Sequence, residues 1–409
     1  MGKTYIIKEF CKNEFKKYVY INLFDSENIV ELFEQKISIT EKIKMLKMII
    51  KTEQNIDIDF ENTIIFFDEV QESEEIISSL KYFNESEIPY KIICAGSLLG
   101  VKLKRMVKAF PVGKVDMINM NPMDFEEFLT ETMGQDIIDT LKEHYKTNTP
   151  IVDVMHNELL SLYRLYLCVG GMPSAINNIL SADKDILKYN KKILKNIING
   201  YLNDMKKYVK DATETVRIEH IYHSIPTQIG NKSNKFQYSK VRSGARSKNY
   251  ETALQWLLSS KLVNRVCLLK TPQTPPEAFK NEEVFKLYLS DVGILNSILN
   301  IDFGNIILDK EFIYKGDIAE NYVLQQLNMN FENIYYWKNN NTAEVDFIVQ
   351  NNDGLIPIEV KAGDSVKSKS LNMYMKQYKP EYGIRLCTKN FGFANGIKTI
   401  PLYAVFLIK

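Results

Sequence analysis

Gly2-Lys3-Thr4, near the start of the chain, and Asp68-Glu69, which end the apolar run Ile64-Ile65-Phe66-Phe67, are the residues with the most specific chemistry. Glycine, lysine and a hydroxyl residue in that order form the closing half of a G-x-x-x-x-G-K-[ST] phosphate-binding loop. There the lysine reaches the β and γ phosphates, the hydroxyl binds Mg²⁺, and backbone N–H groups at a helix N-terminus cradle the anion. Gly2, Lys3 and Thr4 therefore read as nucleotide-binding residues, with Thr4 also a metal ligand. Asp68 fits the outer ligand to Mg²⁺, and Glu69 the base that orients an attacking water. An apolar strand ending in acidic residues is common by itself; its pairing with Gly2-Lys3-Thr4 selects the catalytic reading. Ser97, which ends Lys91-Ile92-Ile93-Cys94-Ala95-Gly96, fits a γ-phosphate sensor and equally well a cap for the segment 98–103. ATP and Mg²⁺ are the cofactors this set calls for.

A second constellation lies near the C-terminus. Strict alternation in Ala343-Glu344-Val345-Asp346-Phe347-Ile348-Val349 puts Val345, Phe347 and Val349 on one face and Asp346 on the other. In Ile356-Pro357-Ile358-Glu359-Val360-Lys361, Glu359 and Lys361 share one face, opposite Ile356, Ile358 and Val360. A hairpin through Asn351-Asn352-Asp353-Gly354 would bring Asp346, Glu359 and Lys361 together. Glu320 lies upstream on a helical stripe with Val323, Leu324 and Leu327, so it faces the protein body and needs a partner. Glu320, Asp346 and Glu359 could hold a divalent metal, with Asp346, Glu359 and Lys361 catalytic: the metal polarises a phosphodiester and the lysine steadies developing charge. An ordinary ion-pair network at strand ends is the competing reading.

A third group is basic. Lys232, Lys235, Lys240, Arg242, Arg246 and Lys248 occur without an acidic residue between them, interleaved with Phe236 and Tyr238. They make the chain's best nucleic-acid surface, DNA being the partner, although a solvated basic loop has the same pattern.

These residues need elements to hold them. Apolar strands alternating with helical stretches up to about Phe128 predict an α/β parallel sheet, whose ligands bind at the carboxyl ends of the strands. A helical region follows to about Asp211, broken at Val169-Gly170-Gly171-Met172-Pro173. From there to about Pro272, three short helices precede a strand pair: one over Ile218–Ile229, one near Ser239, and one with a Tyr250, Leu254, Leu257, Leu258 stripe, with Leu262–Val266 as the first strand. That order suggests a winged helix. The expected domains are thus 1–128, 129–211, 212–272 and 273–409.

Composition agrees with a large soluble protein: 409 residues, 45% hydrophobic, 25% charged, net charge +1. No run reaches the roughly 18 apolar residues of a membrane span, and no secretory signal opens the chain, so a cytoplasmic protein is expected. The five cysteines and four histidines show no metal or redox spacing and read as reduced core or helix-surface residues.

The chain as a whole resembles prokaryotic AAA-family ATPases that end in a nuclease-like domain. The resemblance is carried by Gly2-Lys3-Thr4, Phe67-Asp68-Glu69, Ala95-Gly96-Ser97-Leu98-Leu99, Phe110-Pro111-Val112-Gly113-Lys114, Pro122-Met123-Asp124-Phe125-Glu126-Glu127-Phe128, Gly170-Gly171-Met172-Pro173 and Gly316-Asp317-Ile318-Ala319-Glu320-Asn321. The tail, Asp346 with Glu359-Val360-Lys361 and an upstream helical glutamate, is similar to the PD-(D/E)XK nuclease superfamily. The resemblance implies a P-loop NTPase core, a helical lid, a winged helix and a C-terminal α/β restriction-endonuclease-like domain. It also implies homo-oligomers that share ATP sites, with Arg105 and Arg164 as candidates to complete a neighbour's site. Members carry a strand and a glycine-bearing loop ahead of Gly-Lys-Thr. Their absence here predicts a sheet lacking its first strand, either gapped or closed up, and points to a late start codon or a truncated gene.

Overall fold

Ile64–Phe67 lie in β2 (Thr63–Asp68), a strand buried at every position between β1 (Lys17–Asn22) and β3 (Lys91–Cys94). Both neighbours run parallel to it, as its continuous apolar run requires. The computed structural model describes residues 2–88, 90–97, 99–106, 110–209, 211–229, 235–339, 343–365 and 367–409, with the backbone alone at Lys102, Lys104 and Arg105. The chain divides into two units, Met1–Met120 and Asn121–Lys409. Residues 121–128 fall in the second of these compact units.

In the first unit the helices are α1 (Lys3–Glu14), α2 (Glu27–Glu34), α3 (Ile39–Gln54), α4 (Glu74–Asn84) and α5 (Leu99–Arg105). Ser38 and Ser73 start α3 and α4 by accepting the Glu41 and Ile76 N–H groups. Strand alternation then sorts the sheet into two faces. Val19, Ile21, Ile65 and Phe67 pack with Ile29 and Phe33 of α2, Leu46 and Ile50 of α3 and Ile76 of α4. Ile64 and Phe66 pack with Cys11 of α1. Among the described residues this sheet has three strands, in the order β1-β2-β3. All five cysteines are free, as their scattered spacing predicts.

The second unit has helices α6 (Phe125–Met133), α7 (Gln135–Thr147), α8 (Asp153–Val169), α9 (Pro173–Ser181), α10 (Lys192–Tyr208), α11 (Ala212–Ile229), α12 (Tyr238–Val241) and α13 (Ser247–Ser259) before its first strand. The strands are β4 (Val263–Leu269), β5 (Lys280–Leu289), β6 (Tyr335–Asn339), β7 (Ala343–Asn351), β8 (Gly354–Val360), β9 (Gly383–Cys387), β10 (Gly392–Ala394) and β11 (Ile397–Pro401). Interspersed are α14 (Val292–Leu299), α15 (Phe303–Ile307), α16 (Lys315–Leu327) and α17 (Lys369–Tyr378). Among the described residues these strands form one sheet of eight, ordered β10-β11-β9-β8-β7-β6-β4-β5. The strand pair expected after α13 is present as the antiparallel β4–β5 ladder, but it continues into this sheet through β6. The expected boundary at 272 therefore falls between two strands of one ladder.

Helix α16 is buried nearly all round, polar residues included. Each buried amide has a main-chain partner, which offsets the cost of burying it, although among the described residues Gln326 Nε2 is left without one. Asn321 accepts from Leu289 N–H and donates to Leu289 C=O, both at 3.0 Å. Gln325 accepts from Val292 N–H at 2.9 Å, and Gln326 from Phe125 N–H at 2.8 Å. The helix is thereby held in register with β5, α14 and α6. The Pro122–Phe128 and Gly170–Pro173 segments join the same network. Met123 N–H donates to Gly171 C=O at 2.8 Å, and Gly171 N–H donates to the fully buried Asp291 at 2.6 Å. A Cβ on Gly171 would sit 2.1 Å from the Met123 carbonyl, so only glycine fits there.

Candidate functional site

At the N-terminus, Gly2 adopts φ 75 and its carbonyl accepts the Ile6 N–H at 3.0 Å, so Lys3 and Thr4 fall in the first turn of α1. The β1-β2 pairing sets the far end of β2 beside that turn. Thr4 Oγ1 donates to Asp68 Oδ2 at 2.8 Å, and the Tyr20 hydroxyl donates to the same oxygen at 3.1 Å. The Glu69 N–H donates to the other Asp68 oxygen at 3.1 Å. Burial, followed by the Asp68 charge and hydrogen bond, pushes the Tyr20 hydroxyl up to about 12. Tyr20 thus stays a neutral donor, and Asp68, only 4% exposed, meets hydroxyls and an amide.

Glu69 has φ 53, an uncommon conformation for a residue with a side chain. Its carboxylate accepts from Gln71 Nε2 and from Ser97 Oγ, the latter at 3.4 Å. Ser97 follows β3, whose neighbour Ala95 is tied to β2 by Ala95 N–H to Phe67 C=O at 2.9 Å. Gly96 makes room for this arrangement, since a Cβ there would lie 2.4 Å from Gln71 Oε1. Thr4, Asp68, Glu69 and Ser97 are therefore gathered at one end of the sheet, beside Lys3. Gln71, which holds Glu69, has no sequence signal beyond its spacing of two residues. Thr4 and Asp68 fit a Mg²⁺ site by donor chemistry, a hydroxyl facing a buried carboxylate.

The C-terminal residues also come together, but in a different charge arrangement. The hairpin turns between Asn351 and Gly354 as its sequence predicts. Strict alternation fails, because the β6-β7 register shifts: Tyr335 pairs with Ile348 and Trp337 with Val345, which leaves a bulge at Asp346-Phe347. Val345 and Ile348 both enter the cluster of Trp337 and Tyr374, whereas the Phe347 ring packs against Tyr288 at 5.9 Å. Asp346 sits in this bulge and accepts the Val360 N–H at 2.7 Å.

Glu320 accepts from the Tyr288 hydroxyl at 3.0 Å and lies 3.8 Å from Lys286 Nζ. Lys286 pairs at 2.5 Å with Glu344, and Lys361 pairs at 2.8 Å with Glu359. Burial raises the Asp346 carboxyl well above its ordinary value, and the Glu320 charge adds to this. Burial opposes the Lys286 charge, yet Tyr288, Glu320, Glu344 and Asp346 outweigh it and hold the ammonium well above the usual lysine range. Lys361 is likewise opposed by burial and raised by Glu359. Glu320, Asp346, Glu359 and Lys361 are thus neighbours, as predicted. The three carboxylates do not form the expected metal trio: among the described residues no group of three His, Cys, Asp or Glu is placed to hold a metal. Glu320 is directed to Tyr288 and Lys286, Asp346 to a backbone amide and Glu359 Oε1 to Lys361, whereas Glu359 Oε2 is buried without a hydrogen-bond partner among the described residues. Lys286 and Tyr288 carried no signal in the sequence, because β5 reaches this cluster only through the order of the sheet.

In the basic region, Lys235, Lys240, Arg242, Arg246 and Lys248 are exposed, and Lys232 lies outside the described residues. The Phe236 ring stacks on Phe285 at 5.8 Å, which accounts for one interleaved aromatic as packing. Of the arginines considered for a shared ATP site, Arg164 pairs with Asp309 at 3.0 Å, and the Arg105 side chain lies outside the described residues. No helix among the described residues is long and apolar enough to cross a membrane.

Comparison with known families gives the class. Residues 1–129 match the family model of an AAA domain, and with the gathered Thr4 and Asp68 they constitute an AAA-type, nucleotide-binding P-loop ATPase domain. Further along, residues 160–304 and 315–405 match two domains of unknown function, DUF8612 and DUF4143. No curated protein and no solved structure matches the chain.

Proposed function

We propose that this protein is a Mg²⁺-dependent ATP hydrolase that couples nucleotide turnover to DNA binding, and that its nuclease-like C-terminal domain binds without cleaving. The observation that carries the ATPase reading is the 2.8 Å hydrogen bond from Thr4 to the buried Asp68, which links the phosphate-loop hydroxyl to the acidic strand. In this reading Lys3 contacts the β and γ phosphates, Thr4 and Asp68 hold Mg²⁺, Glu69 orients the attacking water, and Ser97 reports on the γ phosphate. Mg²⁺ when bound neutralises charge developing on the phosphates.

DNA binding draws support from the exposed cations Lys240, Arg242, Arg246 and Lys248, which flank α12 and open α13. The order α11, α12, α13, β4, β5 supports a winged-helix arrangement. The non-cleaving reading rests on Lys286 and Lys361, which are already paired with Glu344 and Glu359.

Mg-ATP hydrolysis measured with and without duplex DNA, beside a Lys3→Ala control, tests the proposal. Turnover that disappears in the control and responds to DNA is the expected result. Nucleotide binding indifferent to Lys3→Ala would overturn it. Substituting Arg242 and Arg246 with alanine is expected to lower DNA affinity and to flatten its salt dependence by about one in log–log slope per lost phosphate contact.

A further inference from the structure

We infer that Gln71 is a positioning residue for hydrolysis: its side-chain amide holds the Glu69 carboxylate where that group takes a proton from the attacking water. The inference deepens the ATPase reading above and rests on it.

Three observations carry it. Gln71 Nε2 donates to Glu69 Oε2 and lies 3.5 Å from Ser97 Oγ, whose own bond to the same Oε2 is 3.4 Å long. Both donors thus meet one carboxylate oxygen, and the other serves to accept from water. The turn that carries Gln71 is rigid: Val70 N–H donates to Ala95 C=O at 2.9 Å and Glu72 N–H to Glu69 C=O at 3.0 Å, which pins it to the strand end leading to Ser97. Gln71 is also only 3% exposed, so little bulk water competes for its amide. Glutamine suits this place chemically. An amide orients a carboxylate without cancelling its charge, whereas a lysine would form an ion pair with it and weaken it as a base. In the ATPase reading Ser97 turns to the γ phosphate when ATP binds and gives up its long bond to Glu69, so Gln71 then holds Glu69 alone. The water oxygen bonds to the γ phosphorus, the bond from that phosphorus to the β–γ bridging oxygen breaks, ADP leaves with the electron pair, and the proton of the water passes to Glu69.

The test is steady-state Mg-ATP hydrolysis by the full chain set against equilibrium binding of ADP. Gln71→Ala should lower kcat by about 10- to 100-fold, the cost of a misplaced reacting group, while ADP affinity stays within about twofold. Gln71→Glu keeps the shape but replaces the donor with a second carboxylate, so it should lose at least as much; a glutamine that only filled space would tolerate that change. In a Glu69→Gln background, Gln71→Ala should change kcat by no more than about twofold, because the amide acts through Glu69. Should these Gln71 variants fail to fold, Gln71→Met, of similar length and without a donor, decides by the same two readouts. Parent-like kcat in a folded Gln71 variant, equal losses of kcat and ADP affinity, or losses that multiply in the double variant would each overturn the inference and leave the ATPase reading standing. A parent chain with no turnover would instead overturn that reading, and the inference with it.

Discussion

Both ends of the chain place carboxylates at the ends of parallel or mixed sheet strands, yet their partners differ in kind. Asp68 meets neutral donors, the Thr4 and Tyr20 hydroxyls and the Glu69 N–H, so its negative charge is left for a cation. Glu320, Glu344 and Glu359 meet ammonium groups, Lys286 and Lys361, so much of their charge is already balanced. On the function proposed above, the same residue type serves Mg²⁺ in one region and is paired with lysines in the other. What decides is whether the surrounding donors are neutral or charged, since a neutral donor orients a carboxylate without cancelling its field. A motif search that counts carboxylates alone scores the two clusters alike.

The comparison is broken most sharply at Glu69. If Asp68 and Glu69 serve a Mg²⁺-dependent reaction, Glu69→Gln should lower the rate constant for ATP hydrolysis by about 10²- to 10⁴-fold, the usual worth of a general base. Nucleotide affinity should change little, because the amide keeps the acceptor for Gln71 and Ser97. Steady-state turnover set against equilibrium binding of a fluorescent ATP analogue separates the two effects; equal losses in both would assign Glu69 to binding. At the other cluster the effect should appear in stability. Lys286→Met removes one partner of a buried ion pair and leaves Glu344 and Glu320 uncompensated, at a cost of about 3–5 kcal/mol read by urea denaturation of the second unit. Losing both partners is milder than losing one, so Lys286→Met with Glu344→Gln should recover part of that cost.

How much of this was legible in the sequence follows from how local each feature is. The phosphate-loop residues, the fully buried β2 and the hairpin at Asn351–Gly354 are written in short contiguous segments, and each is found where the pattern predicts. The convergence of Glu320 with Asp346 and Lys361 was also readable, since helical and strand periodicity fix which side each residue faces. The bulge at Asp346-Phe347 was not, because it arises from the match of β7 to β6 and leaves no mark in β7 alone. Lys286 and Tyr288 were missed for a related reason. The sheet order sets β5 near α16 although dozens of residues separate Lys286 from Glu344, and no local rule reports strand order. The Pro122 and Gly170 segments were visible as markers but not as partners; their role emerges only from the Met123–Gly171–Asp291 contacts.

That buried junction supplies a smaller perturbation that touches neither cluster directly. Gly171→Ala drives a Cβ to within 2.1 Å of a backbone carbonyl, which cannot move as a side chain could, so a loss of about 1–3 kcal/mol is expected in the second unit. ATP binding should be unaffected, since Gly171 lies outside the AAA-matched region. Gly96→Ala, by contrast, meets the Gln71 side-chain oxygen at 2.4 Å, which can swing away. Its effect should be seen in hydrolysis through the released Glu69 and hardly at all in unfolding.

The smallest expected effect tests how complete the lysine compensation is. Burial, with Glu320 adding to it, raises the Asp317 carboxyl from 3.8 to about 6, and Lys286 offsets only a small part. Asp317, like Asp346, is thus a member of the cluster that the ammonium groups leave largely unbalanced. Its folded pKa exceeds its unfolded one, so the folded state binds the extra proton between about pH 4 and pH 6, and stability falls as pH rises through that window. Above pH 6 the penalty is fully present. Asp317→Asn, uncharged at every pH, should therefore stabilise the second unit at pH 7 by on the order of 1 kcal/mol, and the gain should shrink as pH falls to 4 and vanish only below the unfolded pKa, where the parent is protonated in both states. Urea midpoints of parent and variant across pH 4–8 read this difference. A constant offset would mean that Asp317 acts by packing, whereas no offset at any pH would mean that Lys286 neutralises the whole cluster and sharpens the contrast with the Asp68 site.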